Sequence, residues 1–346
     1  MAEPFLTTVI GSMPKPAWLY QKSPVDAMKT GLQGGDADWQ YSGQELIDAQ
    51  DDAVRLAVFD QESAGVNIVS DGEQRRISFV TAITSKLGGF DFETLAEKWI
   101  RDGRRLAEVG RCTGPVEWRG PIALQDLAFL LTQTNSPVKV TLPGPMTVVD
   151  STYDAYYDDE RAFVMAVADA INMEARALDA LGPAVIQFDE PVFSRYPDKV
   201  AEWGIEALDR CVQGLNAQTA IHVCYGYPTG AARPIKPSYP QILAELERSQ
   251  IDQLALEFEA PQLDPALLEL CPSKTVLFGC IDNGVAQVED PQQVAKRLLA
   301  AAERHDPQKI QAAPDCGLTP LSQTVARAKL SAMSQGAQIA RDQLTR

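Results

Sequence analysis

Histidine is almost missing from this chain: among 346 residues there are 2, His222 and His305. Chemistry that needs several imidazoles, such as a three-histidine metal site, is excluded. Positive charge is also scarce. The 31 Lys and Arg face 47 Asp and Glu, a net charge of −16, so no overall field draws the chain to nucleic acid or to anionic lipid. No apolar run approaches the ~18 residues of a membrane span. The amino-terminal MAEPFLTTVIGSMPKP has no basic cluster ahead of an apolar stretch, so an export signal is not expected and a cytoplasmic location is. Cysteines number only 6, too few for a disulfide framework at this length; they read as thiols or metal ligands. Short-period repeats and Ser/Gly-rich linkers are absent too, and residues 1–346 are read as a single domain.

What is present is a globular composition, 45% hydrophobic and 23% charged, which can bury a large core without staples. Eight short β-rich apolar runs stand out, at 5–10, 66–70, 138–142, 184–188, 219–224, 253–258, 275–281 and 310–313. Between most of them lie segments of helical period. In 160–181 the Ala, Val, Met and Leu residues recur three and four apart; in 291–304, Val294, Leu298, Leu299 and Ala302 share a face. Strands alternating with helices predict a parallel sheet covered by helices. Eight of them predict an α/β fold of the (β/α)8 TIM-barrel type. The stretches 11–60, 75–135 and 143–160 exceed what a minimal barrel needs and are expected to lay extra helices or a hairpin over one barrel face, the C-terminal one.

Polar residues concentrate where the runs end. The first ends in Gly11-Ser12, the second in Asp71-Gly72-Glu73, the fourth in Asp189-Glu190-Pro191. The fifth carries His222 and Cys224, the sixth Glu257 and Glu259. The seventh ends in Cys280 and Asp282, the eighth in Asp315-Cys316. In a barrel these ends ring one mouth, where barrel enzymes place their chemistry.

His222-Val223-Cys224 is the sharpest local feature. On a strand, residues i and i+2 point to one face, so imidazole and thiol project together. Alone, such a pair more often marks a core histidine beside a buried cysteine. With Glu257 or Glu259 on the next strand and Cys316 two strands further round, it becomes an N/S/S/O donor set suited to tetrahedral zinc, and two thiolates select zinc over magnesium or calcium. A zinc so rich in negative donors polarises water weakly. It suits an incoming thiol, whose pKa the metal lowers, and so points to alkyl transfer to sulfur. His305 reads as a solvated face residue. Cys211 and Cys271 read as buried small hydrophobes, and Cys112 and Cys280 as lying near the mouth.

In order and spacing, Ile10-Gly11-Ser12, Asp71-Gly72-Glu73, Gly110-Arg111-Cys112, Pro143-Gly144-Pro145, Asp189-Glu190-Pro191, His222-Val223-Cys224-Tyr225, Leu256-Glu257 and Pro314-Asp315-Cys316-Gly317-Leu318 resemble the cobalamin-independent methionine synthase family, specifically its C-terminal catalytic barrel, over nearly the whole chain. The resemblance implies zinc held by His222, Cys224, Glu257 and Cys316, and so selects Glu257 over Glu259. It implies homocysteine held at its amino-acid end by Ile10, Gly11, Ser12, Glu73 and Asp189. The chemistry agrees, since backbone N–H groups and a hydroxyl suit a carboxylate and two carboxylates suit an ammonium. On that reading, replacing Asp189 weakens homocysteine binding and leaves zinc content normal. Arg111 and Cys112 match a stretch lining the family's folate site.

Two departures concern the methyl donor. The family's long members have a histidine proton donor after the seventh strand; here 279–284 is Gly-Cys-Ile-Asp-Asn-Gly, with Asp282 as the candidate acid. They have a tryptophan against the pterin; here Ser151 takes its place, with Tyr153 nearby. The N-terminal half of those enzymes has no counterpart in the resemblance. The expected activity is zinc-dependent methyl transfer to homocysteine, forming methionine. The donor is a methylcorrinoid (methylcobalamin or a corrinoid protein) or methyltetrahydrofolate, and an accessory subunit is admitted. Rival readings are methyl transfer to another thiol, such as coenzyme M, and a non-catalytic zinc-binding partner subunit.

Overall fold

The computed structural model describes residues 3–20, 31–34, 39–225 and 238–345. Nine named strands occur in it: β1 (Gly88–Ile100), β2 (Arg105–Glu117), β3 (Lys139–Pro143), β4 (Tyr153–Asp154), β5 (Val185–Asp189), β6 (Gln218–Val223), β7 (Gln253–Leu256), β8 (Thr275–Ile281) and β9 (Ile310–Pro314). Six of them form one parallel sheet in the order β3-β5-β6-β7-β8-β9. Two further segments close it. Thr7 bridges Ala312 in β9, Thr8 bridges Ile68, and Val69 bridges Val138 just before β3, all in parallel. The eight expected runs thus circle back on themselves as a (β/α)8 barrel.

The first two runs join by single bridges because side chains occupy ladder positions. The Thr7 N–H donates to Asn67 Oδ1 at 2.8 Å and the Asn67 N–H donates to Thr7 Oγ1 at 3.0 Å. Thr8 Oγ1 donates to the Ile68 carbonyl at 3.1 Å. Local side-chain bonds compete with regular pairing.

Strand parity sorts the barrel into an inner and an outer face. Ile68, Val185 and Ala220 form one inner cluster and Ile10, Ala255, Leu277 and Ala313 another. The alternate residues Ile186, Phe188, Ile221, Val223, Leu254, Leu256, Val276 and Phe278 pack outward into the main core. Helix Glu160–Asp179 covers part of that surface with Phe163, Val164, Val167, Ile171 and Leu178, its N-terminus capped by Asp159, which accepts from the Ala162 N–H at 3.1 Å. Helix Pro291–Ala302 buries Val294 and Leu298 and is capped by Asp290. Such caps satisfy one of the orphan first-turn donors.

The long insertion 75–135 contains the antiparallel β1–β2 hairpin, extended by β4 into a three-stranded sheet. Its tip is anchored to the end of helix Pro145–Asp150. The Arg101 N–H donates to Asp150 Oδ2 at 3.0 Å, Tyr196 Oη donates to Asp150 Oδ1 at 2.9 Å, and Lys98 Nζ donates to the Val149 and Thr152 carbonyls at 2.7 Å each. The hairpin therefore roofs the C-terminal mouth.

Two expectations are corrected here. His305 is not solvated: it is 8% exposed, and its Nε2–H donates to the Lys274 carbonyl at 2.9 Å. The helix stops at Ala302, and the turn after it carries the imidazole back onto the barrel. Cys280 does not face the mouth. It shares the outward parity of Val276 and Phe278, packs in the main core, and donates its thiol proton to the Ala313 carbonyl at 3.5 Å. Cys211 and Cys271 are buried as expected, and all 6 cysteines are free.

Candidate active site

A cavity of about 250 Å³ opens at the C-terminal ends of the barrel strands. Its floor holds Ile10, Ser12, Glu73, Asp189, His222, Cys224, Glu257 and Cys316, and its roof includes Ile100, Arg101 and Arg105 from the hairpin. The motif residues of six strand ends thus meet in one place.

At one end, His222, Cys224 and Cys316 offer ligand atoms that all lie within 4.8 Å of one another. The two sulfurs are 3.6 Å apart. Sulfurs each about 2.3 Å from a tetrahedral zinc stand about 3.8 Å from one another. His222 Nδ1 is fixed 2.9 Å from Asp189 Oδ1, while its Nε2 is buried without a partner. That orphaned nitrogen sits in the cluster with the two sulfurs. The hydrogen bond to Cys224 first, and then burial, push the Cys316 thiol well above its ordinary pKa. Two sulfurs this close cannot both ionise in a buried site unless a cation joins them. The donor set, the spacing and the orphaned nitrogen all fit zinc.

Glu257 lines the same cavity but stands outside the three-residue cluster, its Oε2 accepting from the Tyr225 N–H at 2.8 Å. Glu259 turns away to Arg297, 2.9 Å distant. Two buried groups hold these strand ends in place. Tyr239 Oη donates to the Val223 carbonyl at 2.6 Å and accepts from the Glu257 N–H at 3.1 Å. Asp315 accepts from the N–H groups of Phe258 and Glu259 at 2.9 Å and of Ala260 at 2.6 Å.

The other end is built on the first two strand ends. A Cβ on Gly11 would lie 2.6 Å from Glu73 Oε1, and one on Gly317 would lie 2.1 Å from Ser12 Oγ. Both positions need glycine so that a polar side chain can pack over the backbone. Glu73 itself has φ +55°, a left-handed conformation uncommon outside glycine, braced by its N–H donating to Asp71 Oδ1 at 2.9 Å. Thr141 Oγ1 donates to Glu73 Oε1 at 3.0 Å. Burial raises the Glu73 carboxyl pKa, Arg76 opposes that, and Asp189 adds to it. Arg76 Nη1 donates to the Thr141 carbonyl at 2.7 Å, and its Nη2 is buried without a partner. Glu73 and Asp189 line one cavity, with Lys15 and Arg76 also in its wall, and two carboxylates together suit an incoming ammonium.

Asp189 has a second task. Besides facing the cavity, it holds His222 Nδ1 and accepts from Gln187 Nε2 at 2.9 Å, Gln187 also donating to the Ile10 carbonyl at 2.6 Å. A carboxylate behind a metal-ligating histidine fixes its tautomer and orientation. The expectation that Asp189 serves the amino acid alone is revised accordingly.

Of the residues expected against the donor, Ser151 lines the cavity, whereas Arg111, Cys112, Asp282 and Tyr153 do not. Arg111 and Cys112 lie mid-strand in β2, paired with β1 and β4, six residues and about 20 Å from the tip that does reach the site. Cys112 is fully buried, its thiol donating to the Gly114 carbonyl at 3.3 Å and pushed up to about 11, chiefly by burial. Asp282 accepts from the Gly284 N–H at 2.7 Å in its own turn, and Asn283 lines the cavity instead. Tyr153 is exposed in β4. Conversely, Lys15, Arg76, Arg101, Arg105, Asp150 and Asn283 line the cavity without having been expected there. Lys15 and Arg76 follow Ser12 and Glu73 by three residues, which was a usable local signal. The hairpin residues arrive through tertiary packing, which leaves none.

The family model described as the cobalamin-independent synthase catalytic domain matches residues 5–339. The methionine synthase of Sulfurisphaera tokodaii is 31% identical over 339 residues, covering 98% of this chain and 93% of that protein. That of Saccharolobus solfataricus is 31% identical over 346 residues, covering 98% and 96%. A solved structure of a B12-independent methionine synthase from Shewanella sp. W3-18-1, in complex with selenomethionine, superposes with a TM-score of 0.91 at 38% identity over 99% of both chains. A methyltransferase from Methanosarcina mazei shares the fold, with a TM-score of 0.64 at 13% identity. With the matched family spanning nearly the whole barrel and its motif residues gathered in one cavity, this chain belongs to the cobalamin-independent methionine synthase family and is a methyltransferase.

Proposed function

We propose that the protein methylates the thiol of homocysteine to form methionine, with zinc held by His222, Cys224, Cys316 and Glu257, and with residues 1–346 acting as one cytoplasmic catalytic unit. The observation that carries this reading is the pairing within one cavity of a soft N/S/S cluster with two carboxylates, Glu73 and Asp189. A thiol at the cluster and an ammonium at the carboxylates describe the two ends of a short amino-acid thiol. A thiol without an ammonium, such as coenzyme M, would bring no cation to Glu73 and Asp189, and that rival is disfavoured. A non-catalytic zinc subunit gives no reason for the acceptor pocket.

When bound, zinc would lower the pKa of the homocysteine thiol and keep it nucleophilic at neutral pH. Asp189 holds the His222 ring so that Nε2 faces the sulfurs. Glu73 and Asp189 orient the ammonium, Ser12 Oγ stands over Gly317 at the carboxylate end, and the Ile100 side of the hairpin keeps bulk water from the reacting sulfur. Orientation of this kind replaces a bimolecular encounter by a positioned one.

The family is cobalamin-independent, so the methylcorrinoid expectation is set aside and methyltetrahydrofolate is the donor we retain. No histidine other than His222 lines the cavity among the described residues, and a folate nitrogen needs an acid to leave. The test is methionine formation from homocysteine by the zinc-loaded protein, with methyltetrahydrofolate mono- and triglutamate offered separately. Binding of homocysteine to cobalt-substituted protein, read as a changed thiolate–metal absorption, checks the acceptor half independently. A spectrum indifferent to homocysteine would refute the reading.

A further inference from the structure

The parallel ladder between β6 and β7 stops at the pair Val223 and Leu256. The bonds of such a ladder slant, so a carbonyl accepts from the N–H one position beyond its partner. The next rung would run from the Glu257 N–H to the Val223 carbonyl, and it is not made. Both groups meet the hydroxyl of Tyr239 instead, which donates to the Val223 carbonyl at 2.6 Å and accepts from the Glu257 N–H at 3.1 Å. Two bonds stand where a ladder has one of about 2.9 Å. A single oxygen atom thus holds the two strands apart at the residues next to Cys224 and at Glu257.

The opposite edge of β7 is held off in the same way. Its pairing with β8 ends at Leu256 and Phe278, and the Phe258 N–H donates to Asp315 Oδ1 at 2.9 Å. That carboxylate reaches across Gly279, where a Cβ would lie 2.2 Å from Oδ1. Glu257 therefore leaves the sheet between two inserted side-chain oxygens. Its N–H is tied to Tyr239, while its carboxylate accepts from the Tyr225 N–H at 2.8 Å. The rings of Tyr225 and Tyr239 stack with centroids 4.7 Å apart. Tyr239 is 1% exposed at the start of helix Ser238–Arg248, and close packing of this kind leaves the ring no room to swing aside.

We propose that Tyr239 is a positioning residue of the metal centre. Its hydroxyl is a one-atom spacer between β6 and β7 that fixes how far Glu257 stands from His222 and Cys224. Without it the strands close by one more rung and carry that carboxylate with them. The inference rests on the zinc reading given above and deepens it.

The test compares Tyr239→Phe with wild type, alone and in a Glu257→Ala background. The ring and its packing are kept, and the freed carbonyl and N–H can pair directly, so Tyr239→Phe should fold and melt close to wild type. Its zinc affinity, by competition with a chromophoric chelator, should fall by about 10- to 100-fold, the range for groups that orient metal ligands. The ligand-field absorption of the cobalt-substituted protein should change as well. With Glu257→Ala already present, removing the hydroxyl should alter neither readout, because the partner it acts through is gone. Wild-type zinc affinity and cobalt spectrum in Tyr239→Phe overturn the role of Tyr239 and leave the zinc reading intact. So does a Tyr239→Phe protein that fails to fold, or an equal loss of zinc in the Glu257→Ala background, since either makes the hydroxyl merely structural. Wild type that takes up no zinc overturns both.

Discussion

Asp189→Asn is the most revealing single change, because one carboxylate serves two sites. Its Oδ1 stands 2.9 Å from His222 Nδ1, and Gln187 Nε2 donates to the same oxygen at 2.9 Å. Asparagine keeps the shape and can still accept from the imidazole, but the negative charge is lost. Outer partners of this kind affect metal affinity by about 10- to 100-fold. The acceptor's ammonium loses one charge-assisted contact, about 1.5–3 kcal/mol or roughly 10- to 150-fold. Glu73→Gln touches only the second of these, since Glu73 bonds Thr141 and lies against Gly11, away from the sulfurs. Zinc affinity should be measured by competition with a chromophoric chelator, and homocysteine affinity calorimetrically at saturating zinc. Asp189→Asn should fall in both assays and Glu73→Gln in the second alone. Wild-type zinc affinity in Asp189→Asn would refute the view that this carboxylate orients the metal-facing imidazole.

Cys224→Ser and Cys316→Ser should each abolish tight zinc binding while circular dichroism shows an intact barrel; full zinc by metal analysis in either would refute the cluster. His305→Ala should destabilise by about 1–3 kcal/mol in urea unfolding, because it strands the Lys274 carbonyl in a buried turn. Lys139, wholly buried and held by the Val9 carbonyl at 2.8 Å, is pulled down to about 7 by burial, with Asp189 opposing. Its ammonium is disfavoured in the folded state, so the unfolded chain binds more protons between pH 7 and 10.5, and this group's contribution makes stability rise with pH across that window. Subtracting the unfolding curves of Lys139→Met from those of wild type should show that slope; a flat difference would refute it. With methyltetrahydrofolate as sole donor, steady-state turnover should fall about 10²- to 10⁴-fold below the ~10 s⁻¹ typical of enzymes, for want of a positioned acid. Turnover near that typical value would show that another group, Lys15 among them, donates the proton.

Much of this was legible because a strand's two-residue period is rigid. His222 and Cys224 share a face whatever the rest of the chain does, and the eight runs and their polar ends mark the barrel and its mouth. The same period read more strictly would have placed Cys280 outside, since it alternates with Gly279 and shares the parity of Val276 and Phe278. What sequence could not show depends on contacts distant along the chain. The fold of His305 back onto Lys274, the second task of Asp189, and the hairpin tip over the mouth bring together residues 31, 33 and about 50 positions apart.

Arg111 illustrates the limit of motif transfer most clearly. Its tripeptide matches the family, yet the residue sits mid-strand in β2 while Arg101 and Arg105, ten and six positions earlier, line the cavity. A motif fixes which strand is present, whereas the hairpin's length and the Asp150 anchor fix which part of that strand reaches the cavity. The His222–Cys224–Cys316 cluster and the Glu73–Asp189 pair rise from the ends of barrel strands whose parallel register is set by several neighbours at once, so motif and position travel together there. The hairpin reaches the cavity only near its tip, among the described residues, and is placed by contacts distant along the chain, so its side chains there are not fixed by barrel register. That asymmetry is why the acceptor could be read from the residues and the donor has to be measured.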